Sequence, residues 1–184
     1  MLRTMKDLEG YAIQATDGDI GHVKDVYSDD ERWVVRYLIV ETGSWLSSRK
    51  VLISPLAIGH PDWSARVLPV AITKGQVKRS PDIDTEKPVS RQHEMQYLGF
   101  YGYPYYWGGA GLWGNGFSPS MMLTQGYAGQ ERASPRGRAG GEAGRDEQGD
   151  PHLRSCKAVM GYHIEASDGE IGHVENVLID QETW

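Results

Sequence analysis

The stretch YAIQATDGDIGHVKDVYSDDERWVVRYLIV, residues 11–40, decides the fold. Apolar and polar residues alternate on both sides of Asp17-Gly18, a dipeptide that favours a tight type I′ turn. We therefore predict a hairpin with strands at 11–16 and 19–28. Gly21 lies inside the second strand, where a glycine usually marks a bulge or a close backbone approach. The following run, 33–40, is almost entirely apolar, which predicts a central strand covered on both faces.

Short strand-like segments continue beyond this hairpin. Residues 50–54 and 66–72 are apolar runs rich in β-branched residues, and Pro69 favours an edge position for the second run. Thr73 is a suitable N-cap for one or two helical turns in 73–80. Because short strands at this spacing are typical of small barrels and rolls, we predict that residues 1–80 form a mainly all-β domain, a small β-barrel.

An internal repeat marks the limits of the module. Residues 2–33, the first copy, recur as residues 153–184, the second copy, with 17 identities in 32 positions at a constant offset of 151. Such a match predicts a second, incomplete module that contains the first hairpin alone. Since 32 residues are too few to build a core, we expect this hairpin to be poorly ordered unless it pairs with another strand, and such pairing permits a homo-oligomer. We interpret the following retained positions as structural: Gly18, Gly21, His22, Trp33, Gly169, Gly172, His173 and Trp184.

The segment between the two copies has two parts of different character. Residues 81–127 form an aromatic, glycine-rich extension with a short helix predicted from Ser90 to Leu98. Its glycines and prolines make a membrane-spanning helix very unfavourable. Residues 128–152 contain alanine as their only apolar residue, and we predict a flexible, disordered linker there.

Composition restricts the classes of function. The net charge of −6 opposes binding to a polyanion, so we expect no direct contact with nucleic acid. The amino terminus has no apolar run that would suggest a secretory signal or a membrane span, which favours a cytoplasmic location. The single cysteine, Cys156, aligns with Met5 of the first copy, so it is more consistent with a small buried apolar group than with a reactive thiol.

Residues 10–55, GYAIQATDGDIGHVKDVYSDDERWVVRYLIVETGSWLSSRKVLISP, resemble the PRC-barrel family. This small β-barrel is shared by the cytoplasmic part of the photosynthetic reaction-centre H subunit and by the ribosome maturation factor. The resemblance covers residues 4–75, and residues 155–184 resemble its first two strands, as in bacterial proteins with two such barrels joined by a spacer. It implies a scaffold fold that is reused in unrelated roles, and therefore a non-catalytic protein that docks onto other macromolecules.

The sequence lacks the motifs of catalytic and metal sites. His22 and His173 have no H-x-x-x-H or C-x-x-C partner, which favours a half-buried strand histidine over a ligand. The carboxylates at 17–31 lie in tight turns, where aspartate bonds its own backbone. No G-x-S-x-G motif is present. We therefore predict no enzymatic activity, no cofactor and no metal.

Two regions are candidates for an interaction surface. The first is the loop GSWLSSRKVL, in which an exposed aromatic ring beside cations would suit recognition, although Trp45 could equally close the end of the barrel. The second is the aromatic extension, which could wrap its own barrel, pack between two barrels, or dock on a partner or a membrane interface. The candidate residues are Trp45, Arg49, Lys50, Tyr103, Tyr105, Tyr106, Trp107 and Trp113.

Three hypotheses for function follow from these observations. The first is a non-catalytic interaction or scaffold protein with protein partners. The second is a peripheral component of a membrane electron-transfer or photosynthetic assembly, with the uncharged aromatic stretch in contact with the membrane. The third is an accessory factor for the ribosome or for RNA processing, bound through a ribosomal protein.

Overall fold

The computed structural model describes residues 1–81, 89–107, 109–124 and 153–184. Strands predominate in these residues: β1 (Leu2–Thr4), β2 (Ala12–Ala15), β3 (Gly18–Asp29), β4 (Val34–Thr42), β5 (Lys50–Ile53), β6 (Val67–Pro69), β7 (Leu153–Ser155), β8 (His163–Ala166), β9 (Gly169–His173) and β10 (Leu178–Asp180). The helices are short: α1 (Met5–Leu8), α2 (Lys74–Arg79), α3 (Arg91–Tyr101), α4 (Pro119–Thr124) and α5 (Cys156–Val159). The predicted linker at 128–152 lies outside the described residues.

The main sheet has the strand order β5-β4-β3-β2-β6. β2 and β3 form the predicted antiparallel hairpin around Asp17-Gly18, with a bulge between Ile13 and Gln14. β6 pairs with β2 in parallel and forms one edge of the sheet, which is the position that Pro69 predicted for it. The mainly β fold expected from the sequence is confirmed.

β4 is an interior strand that is buried on both faces, as its apolar run predicted, although β3 and not β4 lies at the centre of the sheet. Every residue from Val34 to Val40 is buried, including Arg36, which is 1% exposed. β4 pairs with β3 along one edge and with β5 along the other. A strand that is enclosed on both faces and both edges has no solvent-facing position, which explains why the run lacks alternation.

The extension folds back onto the barrel. α3 begins after Ser90, whose side chain accepts the amide hydrogen of His93, in agreement with the predicted cap. Tyr97 and Leu98 on this helix are each 1% exposed and join the barrel core. The Tyr97 hydroxyl donates to the carbonyl of Leu52 at 3.1 Å and accepts the amide of Ser54 at 3.0 Å, so α3 is anchored to β5.

The second copy repeats the local structure of the first in detail. Gly10 and its counterpart Gly161 both have positive φ, and both donate an amide to a valine carbonyl, Val23 in one case and Val174 in the other. The bulge between Ile13 and Gln14 recurs at the equivalent position in β8. In the part of the chain that the structure describes, no helix is long and apolar enough to cross a membrane.

Candidate functional site

Trp45 lies at one end of the barrel, where its ring is half-buried. The indole Nε1–H donates to the carbonyl of Ile20 at 2.7 Å, and the Lys74 ammonium lies 4.5 Å from the ring centroid. The ring therefore bonds to the barrel with its polar atom and is partly shielded by a cation. Of the two roles considered for Trp45, this geometry fits closure of the barrel end.

The neighbouring cations of this loop differ from each other in their environment. The Arg49 guanidinium donates to the carbonyl of Ser80 at 3.3 Å, which ties the loop to the end of α2. Lys50 is exposed and lies opposite Glu41 in the β4–β5 pair. Lys50 is thus the most accessible of the three loop candidates.

Tyr106 and Trp113 are buried, with 5% and 1% of their surface exposed. The Arg36 guanidinium lies 3.9 Å from the Tyr106 ring centroid and 5.0 Å from that of Trp113. Arginine buried in β4 needs partners for its charge, and the two aromatic faces supply part of them. These rings are consequently unavailable to an external partner, which corrects their place among the candidate interaction residues.

Arg36 also forms a buried ion pair with Asp29. Its Nη2 and Nε lie 2.7 and 3.2 Å from Asp29 Oδ2, and its Nη1 donates to the carbonyl of Leu112 at 2.8 Å. Burial alone would raise the pKa of Asp29, but the Arg36 guanidinium and the Arg32 and Glu31 amides outweigh that effect and lower it below its usual range. The arginine joins β3, β4 and the extension through one charged group.

A second buried polar cluster surrounds Glu94 of α3, which is fully buried. Its Oε1 accepts hydrogen bonds from the hydroxyls of Tyr37 at 2.9 Å and Tyr106 at 2.6 Å, and its Oε2 from Arg91 at 3.1 Å. Burial, and then the negative charge of Glu94, raises the pKa of both tyrosines, so both remain protonated donors. We interpret this cluster as an anchor for the extension, since its donors and acceptors satisfy one another.

The remaining aromatic candidates form the accessible part of the extension. Tyr105 is 39% exposed and stacks on Trp107, with ring centroids 4.7 Å apart. Arg91 covers Trp107 at 4.4 Å, and Tyr103 stacks on Tyr101 at 5.5 Å. These rings pair mainly with each other, so they present edges and small areas rather than one continuous surface.

The interface between the two copies is the feature that the sequence analysis did not foresee. β1 pairs with β10, joining Leu2 to Asp180, and β7 pairs with β3, joining Leu153 to Asp29. Adding the repeat offset of 151 to Leu2 and subtracting it from Asp180 gives Leu153 and Asp29, so each copy contributes the same strand to the same edge of its neighbour. The copies are therefore related by an approximate two-fold axis, as in an isologous dimer. The signal in the sequence was the repeat itself.

Charged and apolar contacts stabilise this interface. Lys157 Nζ lies 2.6 Å from Glu9 Oε1, and Arg154 Nε lies 2.8 Å from Asp30 Oδ2. Buried between the copies are Leu153, Cys156 and Ile179. The second copy is thus paired with the first, which is the condition under which the sequence predicted order for it.

The second copy leaves a set of apolar side chains exposed, and we call this set the second-copy face. Its members are Tyr162 (52% exposed), Ile164 (40%), Ile171 (71%) and Leu178 (60%). Their counterparts in the first copy lie in the barrel core: Tyr11 (4%), Ile13 (0%), Ile20 (0%) and Tyr27 (7%). Identical or similar residues are therefore buried in one copy and exposed in the other because β4, β5 and β6 cover only the first hairpin. A cluster of large exposed apolar groups is typical of an interaction site.

The retained positions serve the hairpin and the turn that follows it. Gly18 and Gly169 have positive φ, but Asp17 and Asp168 do not, and Ala15 pairs with Gly18, so that Thr16 and Asp17 are the central residues of the first turn. The predicted type I′ turn, which needs positive φ at both central residues, is therefore wrong, although the hairpin itself forms where it was expected. His22 and His173 are exposed on their strands, and across the described residues no group of three or more histidine, cysteine or carboxylate side chains is arranged to hold a metal. Trp33 is 67% exposed, whereas Trp184 is 8% exposed.

Cys156 reports on the docking of the second copy, because it is 1% exposed and lies at the interface beside Ser28. Burial raises the pKa of its thiol to about 11. We expect it to react with Ellman's reagent roughly 100-fold more slowly in the native protein than in urea, since the thiolate is the attacking species. Equal rates in the two states would show that the second copy is undocked in solution.

Comparisons with known proteins agree with the fold. Residues 3–76 match the PRC-barrel domain. An uncharacterized protein of Deinococcus radiodurans is similar, with 34% identity over 99 residues that cover 47% of this chain and 35% of the relative. The chain thus spans about a third of that relative's length. With the strand order and the buried β4 described above, this match identifies residues 3–76 as a PRC-barrel domain.

Proposed function

We propose that this chain is a non-catalytic interaction protein that binds a protein partner through the second-copy face. At the family level, the PRC-barrel domain suggests a scaffold or interaction role without catalysis. The observation that carries the proposal is the exposure of Ile164 and Ile171 on the β8–β9 hairpin, whose flanking strands β7 and β10 pair with the first copy. Apolar side chains on a firmly held element can be buried by a partner without a large cost in ordering.

The geometry favours this face over the other candidates. Tyr106 and Trp113 are buried, and Trp45 bonds to the barrel, so none of them offers a free aromatic surface. Contact with a membrane assembly and association with the ribosome remain alternative proposals. The membrane alternative predicts capture of membrane proteins, and the ribosome alternative predicts capture of ribosomal proteins.

The test is capture of partners from native lysate by the tagged full chain, followed by mass spectrometry. Replacing both Ile164 and Ile171 with serine should reduce recovery of the partner at least about ten-fold, since it removes the apolar area at the centre of the contact. The matched control replaces Phe117 and Met121, which are 61% and 40% exposed on the extension, and should leave recovery unchanged.

The outcome separates the alternatives. Undiminished recovery with the isoleucine variant would rule out the second-copy face. Loss with the Phe117 and Met121 variant, together with recovery of membrane proteins, would support the membrane alternative. Ribosomal proteins in the captured set would support association with the ribosome. The slow thiol reaction of Cys156 checks that each variant keeps its second copy docked.

A further inference from the structure

The interface between the two copies has two halves that differ in charge. In one half, three donors of the second copy bind three carboxylates of the first copy. The pairs are Arg154 Nε with Asp30 Oδ2 at 2.8 Å, Lys157 Nζ with Glu9 Oε1 at 2.6 Å, and the Ser155 hydroxyl with Asp25 Oδ2. We call these three carboxylates the acid set. Together they select a strand that carries basic and hydroxyl side chains.

The other half of the interface keeps the donors but lacks the acid set. The equivalent donors of the first copy are Arg3, Thr4 and Lys6. In the second copy, the positions equivalent to the acid set are uncharged: Met160, Asn176 and Gln181. Lys6 lies beside an open groove that Met160 also lines. The donors of the first copy are therefore opposite uncharged positions, where their counterparts bind carboxylates.

Arg3 shows the effect of this difference on a single atom. Arg154 binds Asp30 through its Nε, and Arg3 Nε is buried without a hydrogen-bond partner among the described residues. Gln181 Oε1, on the residue equivalent to Asp30, is buried and lacks a partner within the same residues. The Arg3 guanidinium is held over the Trp63 ring, 4.4 Å from its centroid. A carboxylate in place of Gln181 would reproduce the pair that Arg154 forms.

Of the two copies, the first alone has both the donors and the acid set, so its edge is complementary to itself. This first-copy edge consists of Arg3, Thr4, Lys6, Glu9, Asp25 and Asp30. In a pair of first copies related by the same two-fold axis, Arg3 of each chain would meet Asp30 of the other, and Lys6 would meet Glu9. Such a pair satisfies both halves of the interface, whereas a pair of second copies satisfies neither. Opposite charges at matching positions therefore favour the pair of first copies.

The exposure of Trp33 agrees with such a pair. Trp113 of the extension donates through its Nε1 to the carbonyl of Thr183 at 2.7 Å, and the adjoining Trp184 is 8% exposed. The equivalent turn of the first copy ends at Trp33, which has a similar positive φ and is 67% exposed. The place that the extension takes beside the second copy is thus open beside the first. In a pair of first copies, the extension of each chain would lie against Trp33 of the other.

We propose that the first-copy edge binds the first-copy edge of a second chain, and that the second copy competes with this partner from within the chain. Both occupants present the same type of donor strand, so their concentrations decide which one is bound. A copy on the same chain has an effective concentration of about 1 mM, so the wild type should be monomeric well below that value. The inference concerns a surface other than the second-copy face and does not depend on the proposed function.

The test releases the second copy in the full chain. Arg154→Glu combined with Lys157→Glu sets like charges against the acid set, which should displace the second copy. Sedimentation velocity at about 100 µM should then show twice the mass of the wild type, because the first-copy edge is free for a second chain. The Cys156 thiol should react with Ellman's reagent at nearly its rate in urea, since this dimer leaves the second copy unpaired.

Charge reversals on the first copy identify the surface that dimerises. Adding Arg3→Glu and Lys6→Glu to the released variant should restore a monomer, because each first copy would then oppose the acid set of the other with like charges. The matched control adds Lys78→Glu and Arg79→Glu instead. It makes the same change of charge at exposed positions of α2 and should leave the dimer unchanged.

A second way of releasing the second copy keeps the test independent of the charge reversal. Leu153 is buried and pairs with Asp29, so Leu153→Asp places two carboxylates opposite each other in the β3–β7 ladder. This variant should give the same dimer and the same fast reaction of Cys156.

Four outcomes would overturn the proposal. A monomer with a reactive Cys156 thiol would show that first copies do not pair. A dimer that survives reversal of Arg3 and Lys6, or that is lost when Ile164 and Ile171 are replaced with serine, would use another surface. A dimer with a slow thiol would be an exchange of second copies between chains. A slow thiol with unchanged mass in both released variants would show that the second copy cannot be displaced, which removes the competition.

Discussion

Replacing Gly21 with alanine is expected to lower the free energy of unfolding by about 4 kcal/mol. The added Cβ would lie 2.0 Å from the Glu41 carbonyl oxygen and 2.9 Å from the Thr42 Cα, and these are backbone atoms of β4, an interior strand of the sheet. Backbone in the middle of a sheet cannot move aside without breaking its ladder, so overpacking costs of about 3 kcal/mol add to about 1 kcal/mol of strain from positive φ. Urea unfolding followed by tryptophan fluorescence measures the loss.

The repeat supplies the matched control. Gly172→Ala has nearly the same backbone strain, with φ of +147° against +159° at Gly21, but no neighbour within 4 Å. We expect it to cost about 1 kcal/mol, the value for strain alone. Equal losses in the two variants would show that position 21 requires glycine for its positive φ alone. The close approach of β4 would then not contribute to that requirement.

Replacing Arg36 with methionine is expected to lower the free energy of unfolding by about 4 kcal/mol. The change leaves Asp29 as a buried charge without its partner, and it removes the cation from the faces of Tyr106 and Trp113. The carbonyl of Leu112 loses its donor as well, so the extension should detach more readily from the barrel. Urea unfolding gives the loss, and proteolysis within 89–124 reports on the extension.

The pH dependence of stability provides the control for this variant, because it reports on the charge of Asp29. In the wild type the pKa of Asp29 lies below 3.8, so its ion pair stabilises the protein above about pH 4 and is lost as the pH falls through that lowered pKa. Without Arg36, burial raises the pKa of Asp29, and protonation then relieves the unpaired charge. The difference in stability between variant and wild type should therefore narrow from pH 7 toward pH 4.

The double variant Arg36→Met with Asp29→Asn should recover about 2 kcal/mol relative to the sum of the single variants. Simple additivity would show that the two groups do not interact.

Local signals in the sequence predicted the hairpin and its neighbours well. Asp17-Gly18 indicated the position of the turn but not its type, the apolar run at 33–40 predicted the buried strand, and Ser90 and Thr73 predicted two helix caps. Each of these features depends on residues within a few positions of one another, so the pattern of side chains contains the necessary information.

The roles of the aromatic candidates were harder to predict. Tyr106 and Trp113 were candidates for an external surface, but they stack on Arg36, a residue about 70 positions away in the chain. Whether a tryptophan is a recognition residue or a core residue depends on which distant group covers it. The contact with Arg36 cannot be inferred from the sequence of the extension, because a glycine-rich segment has no periodic pattern that separates buried from exposed side chains.

The sequence by itself determined the module, its repeat and the positions that both copies keep. Those positions follow from short-range chemistry, such as positive φ in a turn. Tertiary structure alone decided what each repeated residue does. Ile20 is buried and Ile171 is exposed, although most of their neighbours in sequence are the same, because β4 lies against one hairpin and not the other. Burial depends on which strands meet in space, and a residue's own type does not contain that information.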